Sequence, residues 1–85
     1  MKNKILIIVV TTGTDLEEEF NVHNPLKVVE KKALEQEQPN ADPNLFHLEY
    51  AGQKLDENTK IEDCIEQFGW EDGVILELVP QPVVI

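Results

Sequence analysis

Leu48-Glu-Tyr-Ala-Gly-Gln-Lys-Leu-Asp-Glu-Asn-Thr-Lys-Ile-Glu-Asp63 carries four structural signals in a fixed order. Leu48 and Tyr50 alternate with Glu49, which is strand periodicity. Ala51-Gly52 is a tight-turn pair, because glycine reaches positive φ at no steric cost. Gln53-Lys54-Leu55 then reads as a short returning edge strand, and Asn58-Thr59 stand before Ile61 to Ile65 as a capped short helix.

The pattern extends in both directions from this run. Phe46, Leu48 and Tyr50 alternate with His47 and Glu49, which predicts a strand with a wet outer face. Downstream, Phe68-Gly69-Trp70 is a turn. Val74, Leu76 and Leu78 then alternate with Ile75 and Glu77 as a last strand, which Pro80 and Pro82 should end by removing ladder donors. Upstream, Asn24-Pro25 predicts a helix start with asparagine as the cap. Leu26, Val29, Ala33 and Leu34 recur at helical spacing, with Lys27, Glu30, Lys31 and Lys32 expected mostly on the opposite side. The helix should fail near Glu37, where Gln38 to Asn44 supplies turn formers and breakers. Ile5 to Val10 reads as a central strand covered on both faces or nearly so. Thr12-Gly13-Thr14-Asp15 turns it into a hairpin whose second strand points Leu16, Glu18, Phe20 and Val22 inward, with Glu18 expected near the open end of the sheet.

The chain has 85 residues, enough for one small domain whose single core supplies nearly all its stability. That core should be aliphatic, with Phe20, Phe46, Tyr50, Phe68 and Trp70 as large fillers. Seventeen acidic residues face seven basic ones, all lysine, for a formal charge of −10. No arginine fork is available for a phosphate or a base edge. Nucleic acid and anionic membranes are therefore excluded as partners by charge, and a partner steered by charge should be basic. The apolar run after Met1-Lys-Asn-Lys4 is too short for a secretory leader and no segment reaches spanning length, so the expectation is a cytoplasmic protein outside the membrane. A lone cysteine fits a reducing compartment. Residues 1–79 read as the domain and residues 80–85 as a Pro-containing tail.

Taken together, an apolar residue two before an aromatic, Ala51-Gly52, the Gln53-Lys54 pair, Leu55 with acidic followers, and Thr59-x-Ile61-x-Asp63 closely resemble the signature stretch of the ubiquitin superfamily. The resemblance spans roughly residues 4 to 79. Asn24-Pro25-Leu26, Ala33-Leu34, the Pro-rich crossover and Phe68-Gly-Trp-x-Asp-Gly73 make the chain look most like the small prokaryotic ubiquitin-like proteins. The implied fold is an α+β, ubiquitin-like β-grasp: a mixed four- to five-stranded sheet with one main helix packed across it and a short second helical turn.

Fold does not transfer function, so the positions that carry it must be read one at a time. Ubiquitin-like modifiers are activated through a terminal Gly-Gly, whereas Val79-Pro-Gln-Pro-Val-Val-Ile85 is stiffened by proline and bulky where glycine would be needed. Attachment through this tail is not expected. The recognition patch of ubiquitin, an aliphatic island on the outer sheet face, aligns with Glu49, Ile75 and Glu77, and with His47 these form the candidate protein-interaction face. Two carboxylates there oppose an aliphatic receptor and favour a basic one. Gln53 stands where ubiquitin carries its principal chain-building lysine.

Other candidates have plainer explanations. Cys64 lies among apolar and acidic neighbours and reads as a packing residue. His23 and His47 have no second ligand at metal spacing. Glu17-Glu18-Glu19 sits in a strand, where neighbours point to opposite faces, and reads as an acidic edge. No catalytic set, metal site or cofactor motif is present. The expectation is a non-enzymatic ubiquitin-like interaction protein whose sequence leaves the oligomeric state open, a monomer being favoured, and whose partner is a protein with a basic surface or a conjugation-type enzyme. The alternative is a modifier or sulfur carrier of a prokaryotic conjugation-like system with an atypical or processed tail.

Overall fold

A computed structural model describes residues 3–37 and 42–81. The expected break at residues 38–41 and the tail beyond Gln81 lie outside the described residues. In chain order the elements are β1 (Lys4–Val10), β2 (Leu16–Asn21), α1 (Leu26–Glu37), a single 3₁₀ turn (Pro43–Leu45), β3 (Phe46–Tyr50), β4 (Gln53–Lys54), α2 (Ile61–Phe68) and β5 (Val74–Pro80). The strands form one five-stranded sheet in the order β2-β1-β5-β3-β4. β1 and β5 run parallel, and the other pairs are antiparallel.

The core lies between α1 and one face of the sheet. Leu26, Val29 and Ala33 of α1 meet Ile7, Val9, Leu48 and Leu76 of the strands, with Ile61 of α2 closing one end, and all are buried. At that end Tyr50, Phe68 and Trp70 form a ring cluster with centroids 5.3 to 5.8 Å apart, a geometry that adds to their burial.

Each tight turn answers a local demand of the chain. Ala51 (φ 51°) and Gly52 (φ 81°) join β3 to β4 with both central residues left-handed, the conformation that matches strand twist. Gly69 (φ 72°) ends α2, and its amide donates to the Ile65 carbonyl.

The helix starts are capped differently from expectation. The amides of Leu26 and Lys27 donate to the carbonyls of Thr59 and Glu57, and those of Ile61 and Glu62 donate to the carbonyls of Asn24 and Val22. Each helix is thus capped by the backbone of the loop that precedes the other. The capping residue of α2 is Lys60, which makes no side-chain cap bond, so neither Asn58 nor Thr59 takes the role assigned from sequence. Orphan helix donors need an acceptor, and tertiary packing supplies one that local sequence does not announce.

Four further expectations are corrected. β1 alternates buried and half-buried residues, so it is closed on one face only. Glu18 stands opposite Ile7 in the middle of β2, not at the sheet's open end; β2 is an edge strand, and Lys32 of α1 reaches within 3.6 Å of the Glu18 carboxylate. Glu30, placed by helical spacing among the outward residues, is only 2% exposed. It lines a recess of about 450 Å³ shared with Pro43, Phe46, Leu55 and Glu57, so the chain returning after β4 closes over the helix flank that a helical wheel leaves open. Pro80 pairs with Phe46 inside the ladder. The Gln81 amide donates toward β3, so by alternation the Pro80 nitrogen faces the β1 side, where pairing has already stopped at Glu77 and no donor is needed.

Candidate interaction face

Strand alternation fixes which side chains occupy the sheet face opposite α1. Across the sheet these are Glu17, Glu19 and Asn21 on β2, then Lys4, Leu6, Ile8 and Val10 on β1, then Ile75, Glu77 and Val79 on β5, then His47 and Glu49 on β3, and Lys54 on β4. All four candidate residues therefore share this face. Glu49 stands directly across from Glu77, and Lys54 directly across from Glu49 on the other side.

His47 departs from its expected wet setting, being 9% exposed. Its Nε2 lies 2.6 Å from a Glu49 oxygen. Its cross-strand partner is Val79, and beyond it Gln81 is tied back through its amide to the Leu45 carbonyl and through its side chain to the Phe46 carbonyl and Lys54 Nζ. Among the described residues His47 Nδ1 has no hydrogen-bond partner. The histidine belongs to the framework of the face and holds Glu49 in place, while Glu77 and Ile75 remain open to solvent.

The sequence reading missed the aliphatic part of this surface. Ile8 pairs with Ile75, which is 56% exposed, and with Leu6 and Val10 they form an apolar band. Glu17 and Glu19 border it on one side, and Glu77 and Glu49 on the other. The signal was present in the unbroken aliphatic run of β1, but such a run reads equally as a strand buried on both faces. The aliphatic side chains of this face therefore centre on β1 and β5.

Cys64 is buried, and burial, followed by the Asp63 charge, pushes its thiol up to about 11. It is a packing residue, as expected, and a poor nucleophile. Glu30 is the other perturbed group. Burial first, then the charge of Glu57 and a side-chain hydrogen bond with it, push its carboxyl up to about 7. Among the described residues no group of three or more His, Cys, Asp or Glu is placed to hold a metal ion. No helix among them is long and apolar enough to cross a membrane.

A mixed five-stranded sheet gripping one main helix, with a second short helix before the last strand, is the ubiquitin-like β-grasp. Solved structures agree. A ubiquitin from the archaeon Caldiarchaeum subterraneum superposes with a TM-score of 0.76 at 23% identity, covering 94% of this chain and 96% of that one. A designed protein based on ubiquitin superposes with a TM-score of 0.75 at 23% identity, covering 96% and 94%. No curated protein matches the sequence. The chain belongs to the family described as Protein of Unknown function (DUF2604), whose model matches residues 1–79.

Proposed function

We propose that this chain is a non-enzymatic, cytoplasmic protein-interaction domain that works through the outer face of its sheet. The observation that carries this reading is the open apolar band of Leu6, Ile8, Val10 and Ile75 between rows of glutamate. An uncovered aliphatic strip on a small domain is costly to leave in water unless something covers it. Its acidic borders suit a partner that brings an aliphatic side chain flanked by lysine or arginine. The face is not suited to nucleic acid, because its four glutamates outnumber its two described lysines, Lys4 and Lys54.

The composition of residues 80–85 supports contact rather than attachment through them. Pro80-Gln-Pro-Val-Val-Ile85 contains no glycine, whereas a modifier tail needs a slender, flexible exit from its last strand. Two experiments test the two halves of the proposal. Partner capture with tagged chain should be lost on Ile8→Ser with Ile75→Ser, and weakened by salt and by Glu49→Lys with Glu77→Lys. Capture indifferent to both pairs places the working surface elsewhere. Incubation with a ubiquitin-type activating enzyme and ATP should yield neither adenylate nor thioester, and either product establishes the modifier reading instead.

A further inference from the structure

A second surface lies away from the sheet face, at the end of the molecule where β1 and β5 both begin. It is a groove of about 970 Å³ between the start of β1, the end of the hairpin and α2. Ile5, Val22 and Trp70 form its floor together with the half-buried Ile65. Glu62, Asp63, Glu66 and Glu71 stand around it, against a single described lysine, Lys4.

Two features of this rim cost stability and answer no need of the fold. Glu62 and Glu66 lie four residues apart on α2, so their like charges face each other, and α2 has no basic residue to separate them. Glu66 also stands in the last turn of α2, where the helix dipole disfavours a negative charge. His23 Nδ1 approaches Glu62 at 3.1 Å, but both groups are largely open to solvent, and such a pair offsets little of this repulsion.

The floor adds an independent observation. Trp70 is 4% exposed, yet its indole N–H is buried without an acceptor among the described residues. A tryptophan shut away in a core normally finds a partner for that donor, and this one lines the groove.

We infer that this groove binds a short basic segment of a partner protein, with lysine or arginine side chains meeting the carboxylate rim and aliphatic side chains between them resting on the Ile65–Trp70 floor. A long cationic side chain suits such a site, because its methylene stem can lie on apolar surface while its charge stays at the wet rim. The groove sits at the opposite end from the exit of β5, so an occupant leaves Ile75, Glu77 and Glu49 on the outer sheet face uncovered. This second contact does not depend on the sheet-face reading.

Trp70 is the only tryptophan of the chain, so its emission reports directly on the floor. Titration with the peptide acetyl-Lys-Leu-Arg-Leu-Lys-amide should shift that emission saturably, and the same peptide with glutamate at its three charged positions should not. Glu66→Lys with Glu71→Lys should weaken binding about tenfold or more, and raising salt should weaken it too. Glu49→Lys with Glu77→Lys, on the sheet face, should change it by less than about twofold. Amide-shift mapping on the unmodified chain, which needs no variant to fold, should place the peptide on α2 and residues 70–72. An absent or unsaturable emission change, equal loss from either pair of charge reversals, or shifts confined to the sheet face would each overturn the inference.

Discussion

The two faces of the sheet are built by alternate residues of the same strands, yet they end in opposite physical states. On the helix side Ile5, Ile7, Val9, Leu76 and Leu78 are all buried. On the other side Leu6, Ile8, Val10 and Ile75 are just as aliphatic but lie half or fully in the open. Intrinsic strand preference does not distinguish the two sets. What differs is that α1 covers one set, whereas none of the described elements covers the other. The closed face stabilises the domain, and the open face contributes little to stability while offering the surface proposed for partner contact.

The sharpest way to break this comparison is to truncate one residue on each face. Leu48→Ala removes a buried side chain facing α1 and should destabilise the domain by about 2–5 kcal/mol in denaturant unfolding. A loss under about half a kilocalorie would mean that the third strand is in the wrong register.

The next effect concerns the one carboxyl sealed beside α1. Glu30 is raised from 4.5 to about 7 in the folded state, so between those pH values the native chain holds a proton that the unfolded chain releases. Its stability contribution is complete below about pH 4.5 and is lost as pH rises through 7. The loss amounts to about 3 kcal/mol at most, on the scale of 1.4 kcal/mol per unit. Glu30→Gln should remove this slope and make the domain more stable than the parent at pH 8. Parallel pH–stability curves for parent and variant would show that Glu30 keeps an ordinary carboxylate.

Two smaller effects sharpen the picture. Ala51 is left-handed in the β3–β4 turn, and that strain is relieved by glycine at the price of chain entropy, so Ala51→Gly should gain about half a kilocalorie. Ile75→Ser, on the open face, should shift stability by less than about half a kilocalorie while weakening partner capture. A large loss of stability there would mean that the open face is structural after all.

How much of this was legible in advance varied with the kind of interaction. β3, the Ala51-Gly52 turn, β4 and the alternation of β5 could be read because strand period and turn chemistry are local properties. The shared face of His47, Glu49, Ile75 and Glu77 followed from the same alternation, since a period of two leaves no freedom once a strand is in register. The aliphatic band could not be located, because a run such as Ile5 to Val10 says that β1 is apolar on both faces without saying which one is covered.

Sequence by itself determined the ubiquitin-like β-grasp, the core members of α1, β3 and β5 and the acidic character of its outer face, because periodicity, turn residues and charge are written residue by residue. Only the tertiary structure decided the rest. It gave the helix starts to each other's loops to cap, closed the chain after β4 over Glu30, sheltered His47 beside Glu49, and left Trp70, in the floor of an acidic groove, without an acceptor among the described residues. Each of these depends on which backbone or side chain arrives from a distant part of the chain, and burial and hydrogen bonding are properties of that arrival rather than of the residue alone.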